Sequence, residues 1–185
     1  LNELFSAVGF LTIIPVSKQK ISRYTTVWFP VVGLFLGGIL FLGKFFFTAV
    51  GLNSIIIVGL LLVIYIFLTG GMHIDGLSDS VDGLVGGRGD KRKILSIMDD
   101  SHIGAEGVVA VVCDILLKFV LLLNVSSNIL LIFPVISRWV MVLSMVLSKP
   151  AKDDGVGRLF IENTRLQNFF IATLICVLVS IIILP

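Results

Sequence analysis

Residues 70–107 read GGMHIDGLSDSVDGLVGGRGDKRKILSIMDDSHIGAEG, placing seven carboxylates and two histidines among glycines. Asp75, Asp79 and Asp82 stand four and three apart, so a helix puts all three on one face. Three anions on one stripe repel one another, and a stable fold tolerates them if a cation holds them together. Oxygen-only donors favour a hard divalent ion, and Mg²⁺ characteristically links a few carboxylates to substrate phosphates. The competing reading is a solvated acidic loop, against which the surrounding glycines and histidines speak.

The rest of the chain has to position that segment, and it is almost wholly apolar. Hydrophobic residues make up 57% of the 185 and charged ones 14%; mean hydropathy is +1.10, which excludes an ordinary soluble domain. The fold class expected is all-α, a polytopic transmembrane helical bundle with about five spans plus an amino-terminal interfacial or re-entrant helix. The net charge of +2 gives no argument for nucleic acid, so the lipid bilayer is the expected partner. Residues 27–69 are too long for one span and suit a hairpin turning at 51–54. Residues 104–123 and 129–147 form a second hairpin around 124–128, and 168–184 a fifth span. The first 16 residues are short for a crossing. The chain is read as a single integral membrane domain over 1–185. Because it begins at Leu1 and ends at Pro185 after an apolar run, it is read as a fragment or as starting from a non-standard codon.

Basic residues orient it. Lys18, Lys20 and Arg23 precede the first span; Arg88, Lys91, Arg92 and Lys93 lie in the acidic segment 70–104; Lys149, Lys152, Arg158 and Arg165 lie in a basic segment 149–167. The two short turns carry none, so both polar segments are expected on the cytoplasmic side. There an acidic patch would face a basic, glycine-containing loop, the minimum needed to hold a pyrophosphate or a nucleotide.

Ions inside the apolar runs are costly and are usually paired or functional. Asp114 can pair with Lys118 one turn on, or with Arg138 across the hairpin, since Asp114 and Arg138 fall at similar depth. Arg138 is also a candidate to line a cavity open to the cytoplasm. Cys113 and Cys176, inside apolar runs, read as buried thiols.

The run Gly70-Gly71-Met72-His73-Ile74-Asp75-Gly76-Leu77-Ser78-Asp79-Ser80-Val81-Asp82-Gly83 resembles the acidic motif of the cobalamin synthase (adenosylcobinamide-GDP ribazoletransferase) family. Gly86-Gly87-Arg88, Met98-Asp99-Asp100-Ser101-His102-Ile103-Gly104, Gly107, Phe29-Pro30-Val31-Val32-Gly33, Ser137-Arg138-Trp139 and Pro150-Ala151-Lys152 are similar to further segments of that family, so the likeness runs over nearly the whole chain. Lys152 stands where the family usually has Arg.

The resemblance implies a Mg²⁺-dependent transferase that joins adenosylcobinamide-GDP to α-ribazole or its 5′-phosphate and releases GMP. It implies a multi-pass protein of a prokaryotic inner (plasma) membrane with its site facing the cytoplasm, and leaves open a homo-oligomer. On that reading Asp75, Asp79 and Asp82 are the metal ligands and Asp100 a further one. His73 is a base or, better suited to its place, a residue that orients a ligand. Arg88, Lys152 and Arg158 clamp phosphates, and Arg138 is a further substrate-binding candidate. Two other classes compete. A CDP-alcohol type phosphotransferase would need an Asp-Gly-x-x-Ala-Arg opening, which is absent. A small-solute transporter would use Asp114, Lys118 and Arg138 as its path, but the two hairpins do not form a convincing repeat.

Overall fold

The computed structural model describes residues 1–16 and 21–184; Lys18 and Lys20, counted above in the basic flank, lie outside the described residues. In chain order the helices are α1 (Asn2–Leu11), α2 (Phe29–Ala49, entered through a 3₁₀ turn Thr25–Trp28), α3 (Ser54–Leu68), α4 (Met72–Gly87), α5 (Lys91–Met98), α6 (Ala105–Leu123), α7 (Ser127–Leu147), α8 (Val156–Asn163) and α9 (Leu166–Ile183). The all-helical class is as expected. Among the described residues three segments are long and apolar enough to cross a membrane: Thr25–Ala49, Ser127–Leu147 and Leu166–Ile183. A fourth would need α3 and α4 together, across an 84° bend. At 15 residues α3 is about 22 Å long, against the ~30 Å of a bilayer core. α6 is longer but carries Glu106, Asp114 and Lys118. Contacts group the chain into two compact units, residues 1–53 with 125–185, and residues 54–124.

In the first unit α2 and α7 lie backbone against backbone. A Cβ added to Gly33 would meet the Pro134 carbonyl oxygen at 2.5 Å, and one on Gly37 would meet those of Leu131 and Leu130 at 2.6 and 2.8 Å. The spacing Gly-x-x-x-Gly is the one that lets helices approach without side chains between them. Pro134 sits inside α7 and cannot donate to the carbonyl four residues back, that of Leu130, the same carbonyl that lies at Gly37. α9 closes on this pair, with Trp139 Nε1 donating to Thr173 Oγ1 at 2.8 Å. Fully buried Asn168 ties the start of α9 to the segment before α2: its amide donates to the Arg23 carbonyl (2.6 Å) and its oxygen accepts from Arg165 N (2.8 Å). Phe10, Phe29 and Phe160 form an aromatic cluster, with centroids 4.3–6.0 Å apart, that seats α1 and α8.

The second unit is built by glycines at its corners. Gly70 and Gly71, at φ 63° and 69°, let the chain turn sharply between α3 and α4 where a side chain would be strained. Asp90 caps α5, accepting from Arg92 N at 2.9 Å and Lys93 N at 3.3 Å. α5 folds back onto the glycine face of α4, where Gly83 and Gly87 leave room for Met98 and Ile94. Within α6, Lys118 Nζ donates to Asp114 Oδ2 at 2.5 Å, the local pairing of the two expected. Cys113, expected to be buried, is exposed: it lies on the apolar outer surface of α6 rather than in a core.

Candidate active site

The second unit brings Asp75, Asp79, Asp99 and Asp100 into one cleft of about 340 Å³. Asp75, Ser78 and Asp79 form one wall from α4, and the 98–103 segment, with Asp99, Asp100 and His102, forms the other. A second, more apolar cleft of about 580 Å³ adjoins it, sharing Asp75, Ser78 and Ile103 and adding Met72, Ile74 and Val111. The polar residues of α4 at 75, 78, 79 and 82 fall on one helical face, and Gly83 and Gly87, one and two turns on from Asp79, lie beside that face and take the contact with α5.

The electrostatics of the stripe follow from that geometry. α4 is not one of the three helices long and apolar enough to cross a membrane by themselves. The Asp79 carboxyl is pushed above the usual carboxylate range by desolvation, and then by the charges of Asp75 and Asp82. Asp82 has its own partners: Oδ2 accepts from Gly104 N at 2.7 Å and Oδ1 from Gly107 N at 2.8 Å. The expectation put a cation on all three carboxylates; the fold gives Asp82 two backbone donors at the start of α6. Across the cleft His102 Nδ1 lies 2.6 Å from Asp100 Oδ1, which also accepts from His102 N at 3.1 Å. The hydrogen bond from His102 lowers the Asp100 pKa, and the same bond raises that of His102.

The stabilising effect of this pair therefore spans a window. The Asp100 share is full above the ordinary 3.8 and is lost as pH falls through its lowered pKa. The His102 share is full below 6.5 and is lost as pH rises through its raised pKa. In Mg²⁺-free detergent solution the His102 imidazole, assigned by difference against His102→Gln, should titrate by NMR above 6.5 and fall back toward it in Asp100→Asn. A parent midpoint at or below 6.5 would contradict the pairing.

Of the residues expected at the site, Asp75, Asp79 and Asp100 share the cleft. His73 is half-buried in the first turn of α4 and does not line it. Arg88 ends α4 at φ 49°, nine residues or about 13 Å of helix beyond Asp79, and turns the chain toward α5. Arg138, Lys152 and Arg158 belong to the other unit. Arg138 is fully buried there and donates to Ser137 Oγ at 3.1 Å. Arg158 Nε donates to Glu162 Oε1 at 2.6 Å and its Nη1 to the Asp153 carbonyl. Ser78, Asp99 and His102 are site residues that the motif reading did not single out. Ser78 was findable, three residues after Asp75 on the same helical face.

The donors suit a hard divalent ion. The Asp79 carboxylate, beside the charges of Asp75 and Asp82, gains from a cation, and Mg²⁺ commonly takes one or two carboxylates with water and substrate phosphates completing its shell. Among the described residues no three Asp, Glu, His or Cys groups converge as a closed cage, so an ion here would lean on such additional oxygens.

A family model described as cobalamin-5-phosphate synthase matches residues 3–185. The chain belongs to that family. An adenosylcobinamide-GDP ribazoletransferase of Caldanaerobacter subterraneus subsp. tengcongensis is 37% identical over all of this chain and 78% of its own length. Its counterpart of the same name in Thermoanaerobacter pseudethanolicus is 38% identical over all of this chain and 77% of its own. One from Clostridium tetani is 34% identical over 96% of this chain and 73% of its own. No solved structure matches. As a member of the cobalamin-5-phosphate synthase family the chain is an enzyme, a transferase of cobalamin biosynthesis, and its apolar helices make it a multi-pass membrane protein.

Proposed function

We propose that this chain transfers the cobinamide-phosphate part of adenosylcobinamide-GDP to α-ribazole or its 5′-phosphate, releasing GMP, with Mg²⁺ required. The observation that carries the reading is the acidic cleft between α4 and the 98–103 segment in a chain whose relatives bear that enzyme's name. A ribose hydroxyl attacks the phosphorus attached to cobinamide, its oxygen forming the new P–O bond as the bond to the GMP phosphate oxygen breaks. Asp75 and Asp79, with Asp100, are the residues to hold Mg²⁺, which supplies charge neutralisation of the pyrophosphate when bound. His102, held by Asp100, would accept the hydroxyl proton. Holding both substrates in one cleft would set the attacking hydroxyl against the phosphorus and so lower the entropic cost of the encounter. Purified protein given adenosylcobinamide-GDP, α-ribazole and Mg²⁺ should release GMP in step with cobalamin. Absence of GMP release, with solute uptake into liposomes, would move the reading to a transporter.

Two further expectations belong to this reading. If Lys152 clamps the pyrophosphate, its charge-assisted contact contributes about 1.5–3 kcal/mol, so Lys152→Ala should lower kcat/KM by about 10- to 150-fold, mostly with respect to the nucleotide substrate. Lys152→Arg should keep most activity. An alanine variant within about twofold of the parent would leave Lys152 to the charge bias of the inner face alone. Orientation is tested in a background lacking Cys113 and Cys176: single cysteines at Gly89 and Asn163 should be labelled only by reagents reaching the cytoplasm, and one at Ser126 only from outside. Labelling of Gly89 and Asn163 from opposite sides would separate the acidic and basic segments.

A further inference from the structure

Consecutive residues of α4 pin both ends of the loop that forms the far wall of the cleft. At one end Gly83 leaves room for Met98, whose Cγ would stand 2.8 Å from a Cβ at that glycine. At the other end the Asp82 carboxylate accepts from Gly104 N (2.7 Å) and Gly107 N (2.8 Å). Between these anchors lie residues 99–103, which carry Asp99, Asp100 and His102 into the cleft. The two N–H groups belong to the first turn of α6, where the backbone lacks helical partners and the helix dipole favours an anion, so a carboxylate is the matched side chain. Gly104 and Gly107 fit it closely. A Cβ on Gly104 would fall 2.3 Å from Asp82 Oδ1, and one on Gly107 would fall 2.3 Å from Oδ2 and 2.4 Å from Ser78 Oγ.

We propose that Asp82 is a positioning residue, which fixes the 99–103 wall of the cleft by holding the start of α6, and that the cation is left to the carboxylates of the cleft itself. The division of labour rests on the transferase reading above, but the contact that carries it does not. Three variants separate it from a metal-ligand role. Asp82→Asn keeps one acceptor and turns an amide N–H toward the second backbone donor. Gly107→Ala evicts the carboxylate without altering its charge. Asp79→Asn removes a cleft carboxylate and leaves the α6 contact intact.

The readouts are amide hydrogen exchange over residues 101–110, Mn²⁺ affinity followed by electron paramagnetic resonance, and steady-state kinetics. Exchange should speed by about tenfold or more at positions 104 and 107 in Gly107→Ala and at one or both of them in Asp82→Asn, and stay at the parent rate in Asp79→Asn. Mn²⁺ affinity should stay within about twofold of the parent in the first two and weaken by about tenfold or more in the third. Kinetically, Asp82→Asn should lower kcat while the half-saturating Mn²⁺ concentration is unchanged. The proposal is overturned if Asp82→Asn weakens Mn²⁺ binding as much as Asp79→Asn does, or if exchange over 101–110 does not respond to it. Should the parent bind no Mn²⁺, the metal-dependent reading fails, and the exchange data still decide the role of Asp82.

Discussion

Asp79→Asn should lower turnover by about 10²- to 10³-fold while leaving the protein at least as stable as the parent. Both halves follow from one observation. The Asp79 carboxyl is desolvated and flanked by the charges of Asp75 and Asp82, which raises its pKa. A folded-state pKa above the ordinary carboxylate value means that the ionised form is disfavoured by folding, so above pH 3.8 the charge works against stability. Asparagine keeps the shape and removes that repulsion. A side chain retained at a cost to the fold is the expected signature of a functional group. Activity is read as GMP release at saturating Mg²⁺, and stability as the midpoint of thermal unfolding in detergent. Near-parental turnover would remove Asp79 from the site. A lost activity accompanied by a large fall in the midpoint would instead make Asp79 a structural residue.

Much of this arrangement was legible in the chain. The apolar runs bounded by polar turns at 51–54 and 124–128 located α2, α7 and α9 within about two residues, because bilayer-length helices leave a strong compositional mark. The carboxylate stripe was legible as well, since spacing alone puts Asp75, Asp79 and Asp82 on one face. Other features escaped for physical reasons. The 84° break after α3 depends on two glycines adopting left-handed backbone, and a Gly-Gly pair signals a corner without giving its angle. The engagement of Asp82 joins residues 22 and 25 positions apart, and no local pattern announces which carboxylate will meet a helix start. The segment 149–167 read as a basic loop, yet it contains α8, whose Phe160 is buried in the aromatic cluster. Its apolar residues at 156, 159, 160 and 161 were outweighed by the charges around them.

The α2–α7 seam yields the second large effect, and its control sits one residue away. Gly37 faces the α7 backbone, where a Cβ would come within 2.6–2.8 Å of Leu130 and Leu131 atoms, whereas Gly38 has nothing within 4 Å. Backbone atoms cannot rotate aside as a flexible side-chain end can, so the helices must separate to admit even a methyl group. Gly37→Ala should destabilise by about 1–3 kcal/mol, and Gly37→Leu should prevent recovery of folded protein. Gly38→Ala meets no obstacle and removes a flexible residue from a helix interior, so it should be neutral or stabilising by up to about 1 kcal/mol. Gly33, facing Pro134 and Val135 at 2.5–2.8 Å, should behave as Gly37 does. The comparison is made as the monodisperse fraction surviving a heating series in detergent. Opposite signs at positions 37 and 38 are expected because the two glycines share helix, depth and propensity and differ only in what they face. Equal losses at both would mean that lipid contact, which both substitutions alter, governs the effect and that α2 and α7 do not touch along this line.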